Sequence, residues 1–285
     1  MKTFLFILGL VSVMAVHAQE NEKIIGQSSL CCIYQHHTMT VDLDGKPIID
    51  STLAILEIGD LVAKYGDYTS YSGYIPEDFS VPCLSGDPYW SEAVTVYQGY
   101  PESTSFTVKE ALLPHFYFYK EPCELSWTIL EEEDSVLGYP CNRAKTEYGG
   151  RTWIVSYSVD IPVTNGPWKL KGLPGLILKA ESENGIHRFI PLAIFPVEAQ
   201  EISYFQDKKD VAVKRDKFIA LRNRLKTDKR WAQNPGYYLS PTDIKSFHII
   251  SENNNYGLAP SLIINGIALP PSGSFNRNYQ PLELK

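Results

Sequence analysis

Residues 165–180 read NGPWKLKGLPGLILKA and combine an apolar composition with several chain-bending residues. Leu173-Pro174-Gly175-Leu176 predicts a type II β-turn, because proline fixes φ at the second position and glycine accepts a positive φ at the third. The turn would redirect the chain between two apolar arms. Since apolar arms avoid water, we expect this stretch, here called the flap, to fold against a sheet with Trp168 as its anchor.

Two interpretations of the flap follow from its composition. It can be a tight apolar corner that closes the core, or a lid or rim over an apolar pocket. The second interpretation makes a set of flap residues candidate binding residues, and the arginine that begins the predicted strand 151–158 is added as a possible anion-binding residue. They are Gly166, Pro167, Trp168, Gly172, Leu173, Pro174, Gly175, Leu176, Ile177 and Arg151.

Outside the flap, alternating apolar and polar residues rich in β-branched and aromatic types predict β-strands. The predicted strands are 30–41, 51–59, 93–98, 103–109, 115–120, 125–131, 139–147, 151–158, 175–182 and 186–196. Short turn-forming segments between them favour antiparallel pairing. Asn184-Gly185 predicts a two-residue type I′ hairpin, and Gly149-Gly150 predicts another turn. The acidic run Glu131–Asp134 is interpreted as a solvated turn.

Residues 207–230 predict one long amphipathic helix, with Val211, Phe218 and Leu225 among the residues along its apolar stripe. Ten Lys or Arg against four Asp make this segment strongly basic. It could face anionic lipid or an acidic partner, or its charges could neutralise nearby acidic strands. Residues 250–285 predict loops around one short strand at 262–269. The fold class is therefore mainly β: a curved antiparallel sheet or half-barrel with one long helix.

The first 18 residues, MKTFLFILGLVSVMAVHA, have the charged, apolar and small-residue order of a signal peptide. We expect them to be removed, leaving residues 19–285 as a single exported domain in the periplasm, at the outer membrane or outside the cell. No later stretch is apolar enough to predict a membrane helix. A sequence pI near 5.4 and the lack of a binding motif argue against nucleic acid as a partner.

Five cysteines, at positions 31, 32, 83, 123 and 141, suggest some disulfide pairing in an oxidising compartment, but the sequence does not select the pairs. Cys31-Cys32 with His36-His37 invites a metal hypothesis. Neighbouring strand residues point to opposite faces, and Cys32 and His36 would lie about 13 Å apart. Partners such as Cys83 or His115 would be needed. The sequence therefore predicts neither a metal site nor a cofactor.

No motif for nucleophilic or metal-dependent hydrolysis is present. His115, His187 and His248 could each act as a base, although a single strand histidine is more often structural, so no catalytic residue is assigned. Arg151 could bind an anion bidentately, or it could pair with Glu147 at the hairpin end. Paired carboxylates from distant strands stay open, which leaves a hydrolase as an alternative function.

The string GPWKLKGLPGLIL at 166–178 resembles the signature of the GLPGLI family of exported bacterial proteins. The blocks at 126–162, 50–60 and 278–285 are also similar to that family, so the resemblance covers nearly the whole mature chain. VSYS at 155–158 departs from the aromatic pair that relatives tend to carry. The resemblance implies an envelope location and no defined activity.

The function expected from these patterns is a non-enzymatic envelope protein that binds an apolar or peptide-like ligand or assists an outer-membrane receptor. The alternatives are the hydrolase and a structural or interaction protein that uses the sheet edges. Ligand, disulfide connectivity, oligomeric state and contact of the basic helix with a membrane are not determined by the sequence.

Overall fold

The computed structural model describes residues 22–41, 45–68, 71, 73–79, 94–112, 115–206, 210–227, 247–249, 262–264, 267–269 and 281–285. The signal-peptide prediction and Cys83 lie outside these residues. Strands make up most of the described structure, so the mainly β prediction is confirmed.

Fifteen strands and one helix are present in the described residues. They are β1 (Glu22–Val41), β2 (Pro47–Gly59), β3 (Ala63–Asp67), β4 (Val94–Gln98), β5 (Ser105–Leu112), β6 (His115–Pro122), β7 (Thr128–Val136), β8 (Tyr139–Tyr148), β9 (Arg151–Ser158), β10 (Leu176–Ser182), β11 (His187–Phe205), β12 (Val211–Ala212), α1 (Arg215–Thr227), β13 (Phe247–Ile249), β14 (Leu262–Ile264) and β15 (Ile267–Leu269).

Twelve of these strands form one open sheet in the order β12-β6-β5-β4-β3-β2-β1-β11-β10-β9-β8-β7. All neighbours pair antiparallel except β12 and β6, which pair parallel. The chain runs outward from β1 to β6, crosses to β7 at the far edge, and returns to the centre with β11. Each of the ten strands predicted from alternation has a counterpart in this sheet, although β1 and β11 extend well beyond their predicted bounds and β7 lies at 128–136 instead of 125–131. Strands β3 and β12 were not predicted.

The sheet buries side chains on both faces, because successive strand residues point to opposite sides. Cys32 and Tyr34 lie on the flap face, which carries the larger core together with Trp153. Cys31 and Ile33 lie on the second face, in a smaller cluster whose packing partners include Tyr71, Ile75 and Phe79. The sequence prediction that the two adjacent cysteines face opposite ways is confirmed.

The long helix predicted over 207–230 is wrong. Val211 and Ala212 form β12 beside β6, and the Val213 amide donates to the Phe118 carbonyl at 3.1 Å, so the helix begins only at Arg215. Residues 207–209 and 228–230 lie outside the described part of the chain. Helix α1 has 13 residues and places Phe218 in the core against Tyr119.

Three other local predictions also need correction. The acidic run Glu131–Asp134 continues strand β7, with a register shift between Leu130 and Glu133, instead of forming a turn. The single strand predicted at 262–269 is replaced by two strands, β14 at Leu262–Ile264 and β15 at Ile267–Leu269. The β10–β11 hairpin exists, but its loop spans 183–186, and Gly185 has a positive φ whereas Asn184 does not, which excludes a type I′ turn. Gly149 and Gly150 both have positive φ, as the turn between β8 and β9 requires.

Candidate functional site

The flap packs on the sheet as part of the core. Trp168, Leu170 and Leu173 are buried, and the Trp168 ring lies 5.6 Å from the ring of Trp153 and 5.5 Å from that of Tyr148, measured between centroids. Trp168 itself has a φ of 55°, a left-handed conformation that costs backbone energy for a bulky residue. The tertiary packing of the indole therefore holds a strained backbone in place.

Gln98 on β4 fixes the backbone of the flap. Its fully buried amide donates to the carbonyls of Gly166 and Trp168, each at 2.7 Å, and accepts from the side chain of Asn165 at 2.9 Å. The Tyr34 hydroxyl adds a hydrogen bond to the Ile177 carbonyl at 2.7 Å. A glutamine on a strand gives no sequence signal for such a role, so neither contact was foreseen.

The type II turn predicted at 173–176 is wrong, because Gly175 does not have a positive φ. Glycine is required there for close approach: a β-carbon on Gly175 would overlap the carbonyl oxygen of Ser158 and lie 2.9 Å from the Val159 nitrogen. Gly172 supplies the left-handed conformation instead, with a φ of 100°.

The candidate binding residues of the flap are mostly inaccessible in the described structure. Gly166, Pro167, Trp168, Leu173, Gly175, Leu176 and Ile177 are buried, as is Arg151, whereas Gly172 and Pro174 are exposed. Their role in binding stays a prediction.

A network of charges lies beneath the flap, centred on the buried Lys169. Its ammonium group contacts Glu283, the Glu121 carboxylate at 2.5 Å and the Tyr119 hydroxyl at 3.1 Å. Arg215 of α1 pairs with the same two carboxylates, at 2.8 Å to Glu121 and 3.0 Å to Glu283. Burial raises the pKa of Glu121, and the neighbouring Lys169 opposes that shift. The basic helix thus neutralises acids on the sheet face.

Residues 281–285 lie against this network. Arg151 donates to the Pro281 carbonyl at 2.6 Å and to the Leu282 carbonyl at 3.2 Å. Arg222 donates to the Glu283 carbonyl at 2.7 Å. The predicted pairing of Arg151 with Glu147 fails because the two residues point to opposite faces of the hairpin, where Glu147 accepts from Thr152.

Two histidines that the sequence left apart meet on the flap face. His36 Nε2 and His187 Nδ1 are 3.1 Å apart, and His187 Nε2 lies 3.3 Å from the Pro281 carbonyl. Since the carbonyl only accepts, His187 carries its proton on Nε2, and His36 donates to His187 Nδ1. Burial lowers the pKa of His36 to about 3. The His36 ring is therefore neutral near pH 7, and the contact between the two rings links β1 to β11.

Next to His36 lies a cavity of about 30 Å³, also lined by Thr52, Tyr65, Asp67 and Leu282. This volume holds water but not an organic ligand, for which pockets of roughly 300 Å³ or more are usual. On the same face Asp50 is buried, and its Oδ2 has no hydrogen-bond partner. Burial raises the pKa of Asp50 to about 7.

Other candidate residues stay apart. His115 begins β6 at the surface, and His248 lies in β13. Among the described residues, no group of three or more His, Cys, Asp or Glu is arranged to hold a metal ion.

The four described cysteines are free thiols, and burial raises the pKa of both Cys31 and Cys32 to about 12. No helix among the described residues combines the length and apolar character needed to cross a membrane.

Comparison with known proteins identifies no family. No protein-family model matches the sequence, and no curated protein sequence matches it. Two solved structures of PNGF-II are similar in part. One, in space group P21, has 14% identity and a TM-score of 0.46, covering 68% of this chain and 33% of that chain. The other, in space group C2, has 15% identity and a TM-score of 0.42, and the match covers 80% of this chain and 35% of that chain. The chain thus spans about a third of the length of PNGF-II, and we draw no inference from a likeness this weak.

Proposed function

We propose that this chain is an exported, non-enzymatic protein of the bacterial cell envelope that binds a peptide-like ligand. The observation that supports this most directly is the way residues 281–285 are held. Side chains of Arg151 and Arg222 bind the main-chain carbonyls of that segment. Contacts to the main chain recognise extended polypeptide of many sequences, as in other peptide-binding proteins.

We also propose that the sheet curves into a half-barrel around the flap. Trp168 packs at a tilt against Trp153 of β9, while the next residue, Lys169, contacts Glu121 of β6. These strands are eight places apart in the sheet order, which is about 38 Å in a flat sheet at 4.8 Å per strand. Register shifts between β1 and β11 support bending, because bulged strands bend and twist.

The contents of this half-barrel favour a peptide-like ligand over a small apolar one. The cavity beside His36 is about 30 Å³, far below the volume that an apolar ligand needs. The carboxylates of Glu121 and Glu283 face Lys169 and Arg215 and are occupied by ion pairs. Both observations concern the described residues, and they favour recognition over hydrolysis.

Export and envelope location belong to the proposal through the signal-peptide pattern of residues 1–18 and the family resemblance. An outer-membrane receptor is the partner that this location suggests, with one of its extended segments as the ligand.

Native mass spectrometry tests the proposal on protein purified from the envelope of its own cells. We expect a population heavier than the mature chain, from which gas-phase activation releases a peptide. A single species at the mass of the chain alone, or a cytoplasmic pool that retains residues 1–18, would contradict the proposal.

A further inference from the structure

We propose that residues 281–285 occupy the ligand groove of this protein and that the ligand is an extended peptide with an apolar residue followed by an acidic residue. The groove consists of Gly149, Gly150, Arg151, Lys169, His187, Arg215 and Arg222. This inference rests on the proposed function and specifies its ligand. Binding in trans would displace the chain's own segment.

Main-chain recognition accounts for most contacts in the groove. Besides the bonds from Arg151 and Arg222, the Leu284 amide donates to the Gly149 carbonyl at 2.7 Å, and Arg215 donates to the Lys285 carbonyl at 2.7 Å. His187 Nε2 lies 3.3 Å from the Pro281 carbonyl. These groups are available to any extended segment that presents carbonyls at the same spacing.

Side-chain selectivity is confined to two positions. Leu282 is 2% exposed and belongs to the core cluster, so its position demands an apolar residue. Glu283 is also 2% exposed and contacts both Lys169 and Arg215, so its position demands a carboxylate. Leu284 and Lys285 are exposed and add no comparable demand.

The glycine pair shapes the floor of the groove. A β-carbon on Gly149 would lie 3.0 Å from Cγ of Glu283, and one on Gly150 would lie 3.1 Å from Cβ of Leu284. Both glycines also have positive φ, at 61° and 81°. The turn between β8 and β9 therefore admits a polypeptide in close contact.

The charges explain why the ligand must be acidic. Lys169, Arg215 and Arg222 form ion pairs with Glu110, Glu121 and Glu283, and the buried Arg151 adds a fourth cation that binds main-chain carbonyls of residues 281–285. Without Glu283 the four cations of the groove face the two carboxylates of Glu110 and Glu121. An unbalanced buried charge is strongly unfavourable, so a segment that replaces residues 281–285 must bring a carboxylate.

The test uses the full chain and a fluorescent peptide of sequence NYQPLELK, which copies residues 278–285. Glu283→Gln weakens the chain's own segment, and Glu198→Gln, at an exposed position of β11, is the matched control. We expect the peptide to bind Glu283→Gln at least tenfold more tightly than Glu198→Gln, by fluorescence anisotropy. NYQPLQLK should bind at least tenfold more weakly than NYQPLELK.

Equal affinity for both variants, or for both peptides, would overturn the inference. If Glu283→Gln fails to fold, Leu282→Ala replaces it in the same comparison. In the wild-type chain, excess NYQPLELK should increase hydrogen exchange of residues 281–285, and unchanged exchange would overturn displacement. Peptide binding without any co-purified peptide would contradict only the proposed function. A co-purified peptide without binding in this groove would contradict only the assignment of this groove as the ligand site.

Discussion

Gly175 lies so close to Ser158 that a β-carbon on the glycine would overlap the serine carbonyl oxygen. This contact joins the end of the flap loop to the end of β9. It explains why a bend rich in glycine can be fully packed: the absent side chain lets two backbone segments touch.

Replacing Gly175 with alanine should lower the free energy of unfolding by more than about 1 kcal/mol, because overpacking a core costs roughly 1–3 kcal/mol. Urea denaturation measures the effect. Gly26→Ala is the matched control, since its β-carbon would have no neighbour closer than 3.6 Å and its φ is not positive. Equal stability of the two variants would show that the Ser158 contact relaxes without cost.

Gln98→Ala should destabilise the protein by at least about 2 kcal/mol, because it leaves the buried Gly166 and Trp168 carbonyls without their donor. It should also speed proteolysis within the flap. The control is Gln27→Ala, at an exposed position of β1. A loss of stability without faster cleavage in the flap would show that Gln98 does not hold the flap backbone in place.

Trp168→Ala should cost about 3–5 kcal/mol, since the indole is 2% exposed and packs on Trp153. Leu61→Ala, at 80% exposure, should change stability little. Thermal melts of both variants measure the difference. A Trp168→Ala variant with the same melting temperature as the wild type would contradict the burial of the Trp168 indole.

Asp50 should make stability fall as pH rises. Its pKa is about 7 in the folded chain because of burial, against about 3.9 for an unperturbed aspartate. Between these values the folded state holds a proton that the unfolded state has lost, so the free energy of unfolding decreases with pH. Asp50→Asn should remove this decrease, with its advantage over wild type growing from about pH 4 to pH 7.

His36 provides the internal control for that measurement, because its effect has the opposite sign. Burial holds its folded pKa near 3, below the unfolded value of about 6.5, so its contribution is lost as pH falls through that range. In Asp50→Asn the free energy of unfolding should therefore increase with pH between about pH 3 and pH 6.5. A curve for Asp50→Asn that parallels the wild type would show that Asp50 ionises freely.

Alternation predicted the strands well because most of them are bounded by turn residues and buried on at least one face. It missed β3, whose sequence AKYGD includes a lysine and a glycine and pairs between two longer strands. The helix prediction was too long because Val211 fits a helical stripe as well as it fits a short strand. Pairing with β6 decides between them, and that pairing is not visible locally.

The site was predicted only where its residues are contiguous. Composition alone indicated that the flap would fold against a sheet. Its anchors, Gln98, Glu121 and Glu283, come from strands and a segment far away in sequence, and each is an ordinary polar residue in its own context. The sequence likewise gave no reason to associate His36 with His187, which 151 positions separate.

The central position of β1 also has a kinetic consequence. This strand pairs with β2 on one side and with β11, which ends at Phe205, on the other. Strands β1 to β6 can assemble as each emerges, but the middle seam closes only after some two hundred residues are present. Folding of such long-range topologies is slow. Until β11 arrives, one long edge of β1 is open to mispairing, which makes closure of the β1–β11 seam the slow step of folding.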